Sequence, residues 1–591
     1  LGQEWPIRES ANKSDALGRL DLADIHIIGR RKGSRSMVSR FAPPIDVRLF
    51  ALLLAGAIAV FGVRNRCIAA ENATATDPVA HLASAIDHEI AARWSEEQLE
   101  PAPPANDAEF LRRTYLNIVG RIPSCSEVQM FLEETRPDKR RVVVDRLLES
   151  PAYPTHFAGI LRAAIVPEVS ADPQLQFQGA AGFEQWLRRR IGEDAGYDRI
   201  ARELLTAPAG SPGPGFYFLA KGGKPENVAA GASRVFLGVR IECAQCHNHP
   251  FAKWKREQFW QFAAFFAGVD RPANGPIGDD AQLSQLKIPG LEKVVQARFL
   301  DESSPNLNGG SKPREALANW MTASDNAYFA KAAVNRIWAH FFGTGIVDPI
   351  DDFDESNPPS HPQLLDALAA DFIQQKCDVK FLIRSICASR PYQLSSLQTD
   401  PRQNDRRFFA RAAVKGLTAT ELSASISQAV GEFDAPNDNA MQLPGMPANT
   451  STLKALVAEL FKNDNVDPVD CEATILQALG LMNSSGIDAS TAPSRGNTLG
   501  AVLDSPFLDT AGRIEVLYLS TLSRKPTKDE SARLVKFVES GGTHSASKPK
   551  MGSVFQQLIT TDRTKSRGDK GVALGDVFWA LLNSSEFLTN H

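Results

Sequence analysis

The chain has 591 residues, 43% of them hydrophobic and 23% charged, with a net charge of −4. That length exceeds what one hydrophobic core serves, so two or more domains of ordinary globular composition are expected. The small negative charge, with no basic face laced with aromatics, argues against a nucleic-acid partner.

Residues 1–36 begin with Leu and show neither a helical nor a strand period, so they read as an upstream extension. Met37 opens a more regular pattern: Arg40 and Arg48, the apolar run Leu49–Val63, then small residues at Ala69-Ala70 and Ala73-Thr74-Ala75. This order predicts a signal peptide over 37–75, cleaved between Ala69 and Thr76. The apolar run is shorter than the ~20 residues of a spanning helix. An uncleaved short anchor is the alternative. The expectation is an exported, periplasmic or cell-envelope protein with no membrane contact after cleavage. Of seven cysteines, Cys67 falls in the removed segment and six remain.

From His81 to about Gly268 the pattern is helical. Asn106 and Glu109 have capping-box spacing. The helix behind them puts Leu111, Tyr115, Ile118 and Val119 on one face, and Gly120 stops it. Asp138–Leu148, Phe183–Ile191 and Tyr197–Leu205 follow with the same period. Residues Ala207–Glu226 are rich in Gly and Pro and read as a loop. Ala229–Val239 is a short helix or helix–strand leading into the most informative stretch of the chain.

That stretch is Cys243-Ala244-Gln245-Cys246-His247-Asn248-His249. Two cysteines two residues apart, with histidine directly after the second, is the pattern of covalent c-type haem attachment. Each thiol adds to one vinyl group, and the adjacent imidazole becomes an axial iron ligand. Cys243, Cys246 and His247 are therefore the expected haem c site, and His247 the iron ligand. Two other readings fit the same residues. Cys243, Cys246, His247 and His249 supply four donors for zinc. An exported CxxC also closes as a small disulfide. His249 sits too close to His247 to reach the opposite face of one haem, so a distal ligand has to come from His340, His361 or His156.

Past Pro250 a helix carries Trp254, Phe259, Trp260, Phe262, Phe265 and Phe266. Such a stripe is core packing by default, and beside a haem it would also wall off one face of the ring. Residues 271–312 are rich in Pro, Gly, Asp, Asn and Ser and read as a linker, with a short strand at Val294–Leu300. A second helical region runs over 313–591. It includes Ala316–Met321, Ala330–Phe342, a helix starting at Ser360-His361-Pro362, Phe381–Cys387, Val516–Leu522 and Phe578–Phe587. Residues 432–453 and 539–551 are loop-like. The predicted fold is mostly α: two helical domains, 80–270 and 313–591, joined by an extended Pro/Gly-rich linker.

Several stretches resemble a known family. In the first half they are Phe110-Leu111-Arg112-Arg113-Thr114-Tyr115-Leu116 with Gly120-Arg121-Ile122-Pro123, Asp145-Arg146-Leu147-Leu148 with Ser150-Pro151-Ala152-Tyr153, and Ser233–Val239 running through Cys243–His247 to His249-Pro250-Phe251 and Trp254. In the second half they are Val334-Asn335-Arg336-Ile337-Trp338, Phe342–Gly345, Asp351-Asp352-Phe353, Pro359–Leu365, Tyr392–Ser396 and Leu581–Phe587. Over about 80–591 the chain resembles exported planctomycete-type proteins that join Domain of Unknown Function 1549 to Domain of Unknown Function 1553. The resemblance implies an exported protein, often found beside cytochrome c modules and in sulfatase-rich genomic settings. Where this chain has Asn248, the family motif commonly has Asp.

Asp351, Asp352, Asp354 and Glu355 form an acidic cluster. A solvated helix-capping loop is the plain reading, and a calcium or hydrolytic site the sharp one. Asn335 and Arg336 are expected to hydrogen-bond the loop after Gly343. The sequence holds no GxSxG, P-loop or dinucleotide fingerprint. The leading expectation is a redox or electron-transfer protein with one c-type haem and a cytochrome or other redox partner. A non-redox scaffold or carbohydrate-associated binder with a zinc or disulfide site, and an exported polysaccharide hydrolase, are the alternatives.

Overall fold

A computed structural model describes residues 77–171, 179–249, 252–270, 277–307, 310–431, 475–493, 497–542 and 568–591. The proposed upstream extension, signal peptide and cleavage site lie outside these residues, as does 432–453. Among the described residues no helix is long and apolar enough to cross a membrane.

The fold is mostly α. The first group of helices is α1 (Pro78–Glu96), α2 (Asp107–Val119), α3 (Cys125–Glu133), α4 (Lys139–Leu148), α5 (Ala152–Ile165), α6 (Ala181–Gly192), α7 (Tyr197–Thr206), α8 (Phe216–Ala220), α9 (Pro225–Ala232) and α10 (Arg256–Ala263). The expected loop at 207–226 thus folds a short helix, because Phe216, Tyr217 and Phe218 are apolar enough to be drawn into the core. Two small antiparallel pairs follow: β1 (Val269–Asp270) with β2 (Gly278–Asp279), and β3 (Gln285–Lys287) with β4 (Val294–Gln296). Ile288, Val295, Ala297 and Leu300 from this segment are buried.

After it come α11 (Pro313–Met321), α12 (Phe329–Phe342), α13 (Pro362–Gln374), α14 (Val379–Ala388), α15 (Ala419–Val430), α16 (Ile475–Met482), α17 (Ser485–Ser490), α18 (Thr498–Asp504), α19 (Thr510–Leu522), α20 (Lys528–Glu539), α21 (Gly568–Leu582) and α22 (Ser585–Leu588). Strand β5 (Lys415–Gly416) pairs antiparallel with β6 (Thr589–Asn590).

Local chemistry explains most boundaries. Asn106 accepts from the Glu109 amide at 3.0 Å, and Gly120 at φ +70° ends α2. The expected reciprocal bond from Glu109 is not made. Its carboxylate instead meets Arg113, the Ser395 hydroxyl and the Ser396 amide at 2.6–2.9 Å. Asp378 caps α14 by accepting from the Lys380 and Phe381 amides. Each such cap contributes about 1 kcal/mol.

Two apolar cores organise the described residues. The larger takes side chains from Leu82 to Ala410, on both sides of 271–312, together with Leu519. In it α1 packs on α13 and α14, α5 on α6, α7 on α11, and α12 on α13. The smaller gathers α15, α18, α19, α20 and α21, with Leu116 and Ile122 added from the chain around α2.

Candidate functional site

The CxxCH turn hangs from the end of α9. That helix widens into one π turn, Ser233–Leu237, and is stopped by Gly238 in the left-handed conformation at φ +67°. The Ser233 hydroxyl donates to the Val239 carbonyl at 2.8 Å, tying off the turn. A 3₁₀ turn over Glu242–Gln245 follows, anchored by the fully buried Ala244. This places Cys243 and Cys246 on the surface, exposed and free.

His247 is exposed, and its Nδ1 lies 2.7 Å from the Asn248 carbonyl. A carbonyl only accepts, so Nδ1 is the donor, and in the neutral ring Nε2 then keeps its lone pair. His249 has the opposite polarity. Its Nδ1 accepts from the Ala252 amide at 2.8 Å, which leaves the proton on Nε2. His249 thus shapes the turn, and neither ring nitrogen is presented as a metal donor. Asn248 also has a local task that sequence reading did not give it. Its side-chain oxygen accepts from the Arg256 amide at 2.9 Å, at the start of α10. The family's Asp would accept there equally well. The Arg256 guanidinium bonds the Gln245 carbonyl at 3.3 Å and the Pro289 carbonyl at 2.5 Å. The Trp260 indole also donates to Gln245, at 3.0 Å.

The acidic cluster turns out to brace this turn from the other half of the chain. Asp351 is buried and bonded to Arg240 through Nε at 2.8 Å and through Nη2, with Arg234 at 3.9 Å. The Phe353 amide donates to the Gly238 carbonyl at 2.8 Å, and its ring lies where a Cβ on Gly238 would sit. Asp354 accepts from the amide and hydroxyl of Ser356, and these bonds hold its carboxyl below the usual range. Glu355 is exposed and 3.7 Å from Lys253. Nearby Glu242 is pushed up by burial. Asp351, Asp354 and Glu355 thus each face a different partner.

Other expected members are placed elsewhere. Trp254, Phe259, Trp260, Phe262, Phe265 and Phe266 are all buried in the larger core, so the stripe packs the interior and does not stand open beside the cysteines. His156 and His340 face each other with ring centroids 5.8 Å apart, and His340 Nε2 meets the Asn117 carbonyl at 2.8 Å. Burial holds His340 well below the usual histidine range. His361 packs on Phe409, and burial lowers it to about 4. Among the described residues no three His, Cys, Asp or Glu side chains gather as a metal site. Asn335 bonds the Val347 and Ile350 carbonyls and the Val347 amide, as expected. Arg336 does not join it. Its Nε is buried without a partner, and the residue lines a cavity instead.

Residues 85–271 match the model of a protein of unknown function (DUF1549), and residues 313–538 match that of a protein of unknown function (DUF1553). No curated protein and no solved structure matches the chain. The first match ends just after the CxxCH turn and α10. The second contains the Asp351–Phe353 brace that holds the turn. The chain belongs to the proteins that place a DUF1549 domain before a DUF1553 domain.

Proposed function

We propose that this chain is an exported c-type haem protein, with thioethers at Cys243 and Cys246 and the iron held by Nε2 of His247. The observation that carries the reading is the state of the turn. Both thiols are free and exposed, and the Asn248 carbonyl fixes the His247 tautomer that leaves Nε2 able to ligate. Thioether formation adds each S–H across a vinyl group and needs no oxidant. A haem held there would supply one-electron chemistry. The protein's part is to fix the imidazole, through Asn248, and to hold the turn rigid, through Arg256 and Asp351. A haem on so exposed a turn suits exchange with a cytochrome or another redox protein that docks over it.

The zinc alternative is weakened by the engaged Nδ1 of His249. A thiol–disulfide pair, in a scaffold with no haem, is the second reading. It is favoured by the burial of the six aromatics from Trp254 to Phe266 that were expected to wall the haem.

Expression with a haem-ligation system, followed by intact mass and a Soret spectrum, separates the two. The haem reading expects one covalent haem, lost in Cys243→Ala/Cys246→Ala. In His247→Ala the haem should remain attached with a shifted spectrum. A protein that stays at its apo mass, and whose two thiols interconvert with a disulfide, would replace it with the second reading.

A further inference from the structure

The backbone of the CxxCH turn puts its two thiols together whether or not a haem is attached. The 3₁₀ turn Glu242–Gln245 runs on into Cys246, which keeps a right-handed conformation at φ −98° and ψ −36°. Residues three apart in a 3₁₀ turn eclipse one another, so the Cys243 and Cys246 side chains leave the same side of it. The two residues between them are anchored inward. Ala244 is fully buried, and the Gln245 carbonyl accepts from the Trp260 indole at 3.0 Å and from Arg256 at 3.3 Å. Both thiols are free and exposed, on a turn that needs no reordering to receive a ligand.

The donors that stay away from the pair decide which ion it suits. A structural zinc site takes four ligands. Here the Nδ1 of His249 is engaged by the Ala252 amide, and among the described residues no group of three His, Cys, Asp or Glu side chains forms a metal site. Calcium and magnesium need oxygen ligands. Thiolates select soft ions, Cu(I) among them. With a filled d shell, Cu(I) is satisfied by two thiolates facing each other across it, and two is the number this turn presents. No side chain closes over the cysteines, so thiolates of another protein have access to the bound ion and a route to remove it by ligand exchange.

We propose that the haem-free chain binds one Cu(I) ion between Cys243 and Cys246 as a two-coordinate bis-thiolate. Two S–H bonds break, two S–Cu bonds form, both protons go to solvent, and copper stays Cu(I), so uptake strengthens as pH rises. Neither family description assigns a metal. The site goes beyond the haem reading and does not depend on it, since thioether formation consumes both thiols.

The test uses the full chain, made without haem-ligation machinery, kept reduced and free of oxygen, and titrated against the Cu(I) complex of bathocuproine disulfonate. The expected result is one Cu(I) withdrawn per chain, with X-ray absorption showing two sulfur neighbours. Zn(II) should bind at least about a hundredfold more weakly. Cys243→Ser and Cys246→Ser should each weaken Cu(I) by about a hundredfold or more, and because both side chains are exposed these variants should keep the wild-type urea midpoint. His247→Ala should change Cu(I) affinity by less than about threefold, although the haem reading makes the same residue the iron ligand. Failure of the reduced wild-type chain to take Cu(I) from the chelator would overturn the proposal. So would zinc binding as tight as copper, uptake indifferent to both serine variants, or a loss in His247→Ala as large as theirs. A chain that never accepts haem would leave all these outcomes in place, and a chain carrying covalent haem should take up no Cu(I) at this site.

Discussion

Gly238 shows how a single residue positions the candidate site. It takes φ +67°, which costs a residue with a Cβ about 1–2 kcal/mol. An added Cβ would also sit 2.5 Å from the Phe353 ring. Gly238→Ala should therefore destabilise the protein by about 2–4 kcal/mol in urea unfolding. In a Phe353→Ala background the same change should cost only the backbone share. Equal costs in both backgrounds would mean that the ring is not what Gly238 makes room for. The residue scale is also where sequence reading was weakest. CxxCH was legible because its spacing is itself the chemistry. The separate tasks of His247, Asn248 and His249 were not, since three polar neighbours in a turn differ only in what each hydrogen-bonds.

Among the elements, α2 departs furthest from its expected pattern. Its apolar face was read correctly, yet every residue from Phe110 to Val119 is buried, Arg112 and Arg113 included. Arg112 bonds the Thr521 and Phe587 carbonyls at 2.9 Å, and burial lowers it to about 10. Arg113 bonds the Tyr392 carbonyl at 2.6 Å, the Leu394 carbonyl at 2.9 Å and Glu109 at 2.9 Å. Periodicity assigns charged residues to a wet face, so it cannot foresee a helix whose polar side is satisfied by carbonyls from elements hundreds of residues away. Arg113→Leu would leave the Tyr392 and Leu394 carbonyls buried without that donor and take from Glu109 its buried counter-charge, leaving it only Ser395 and Ser396. It should cost about 3–5 kcal/mol by urea unfolding, and Arg113→Lys should restore only part, because one ammonium cannot reproduce the fork. A loss below about 1 kcal/mol would show that those carbonyls find other donors.

For the whole molecule, buried neutral histidines set a pH dependence. Burial, with Arg93 adding to it, lowers His361 to about 4, and burial also lowers His340 and His156. Their unfolded values lie near 6.5. Between these limits the unfolded chain binds protons that the folded chain does not, so stability rises with pH through the window. It is fully present above about 6.5 and lost as pH falls toward 4. One histidine lowered to about 4 accounts for about 2 kcal/mol between pH 7 and pH 5. The urea midpoint should fall over that range, and His361→Gln should flatten the fall. An unchanged wild-type midpoint would refute this. Protonation here would strain both sides of 271–312 together, since His156 and His340 meet within one core.

The sequence by itself determined the helical class, the bounds of several helices such as those at 139–148, 197–206 and 329–342, the two matched families and the CxxCH, because each is written in local spacing, caps or motif. Only the tertiary structure decided how the two halves divide the work. The larger core and the Arg112–Arg113 bonds cross the family boundary, and the acidic Asp351–Phe353 stretch, ambiguous as a motif, became the brace of a turn more than a hundred residues earlier. The aromatic stripe went to the core, and Arg336 went to a cavity in place of its expected loop. The physical reason is the same in each case. Where a charged or aromatic side chain ends depends on which distant groups can satisfy or bury it, and that information exists only once the chain has packed.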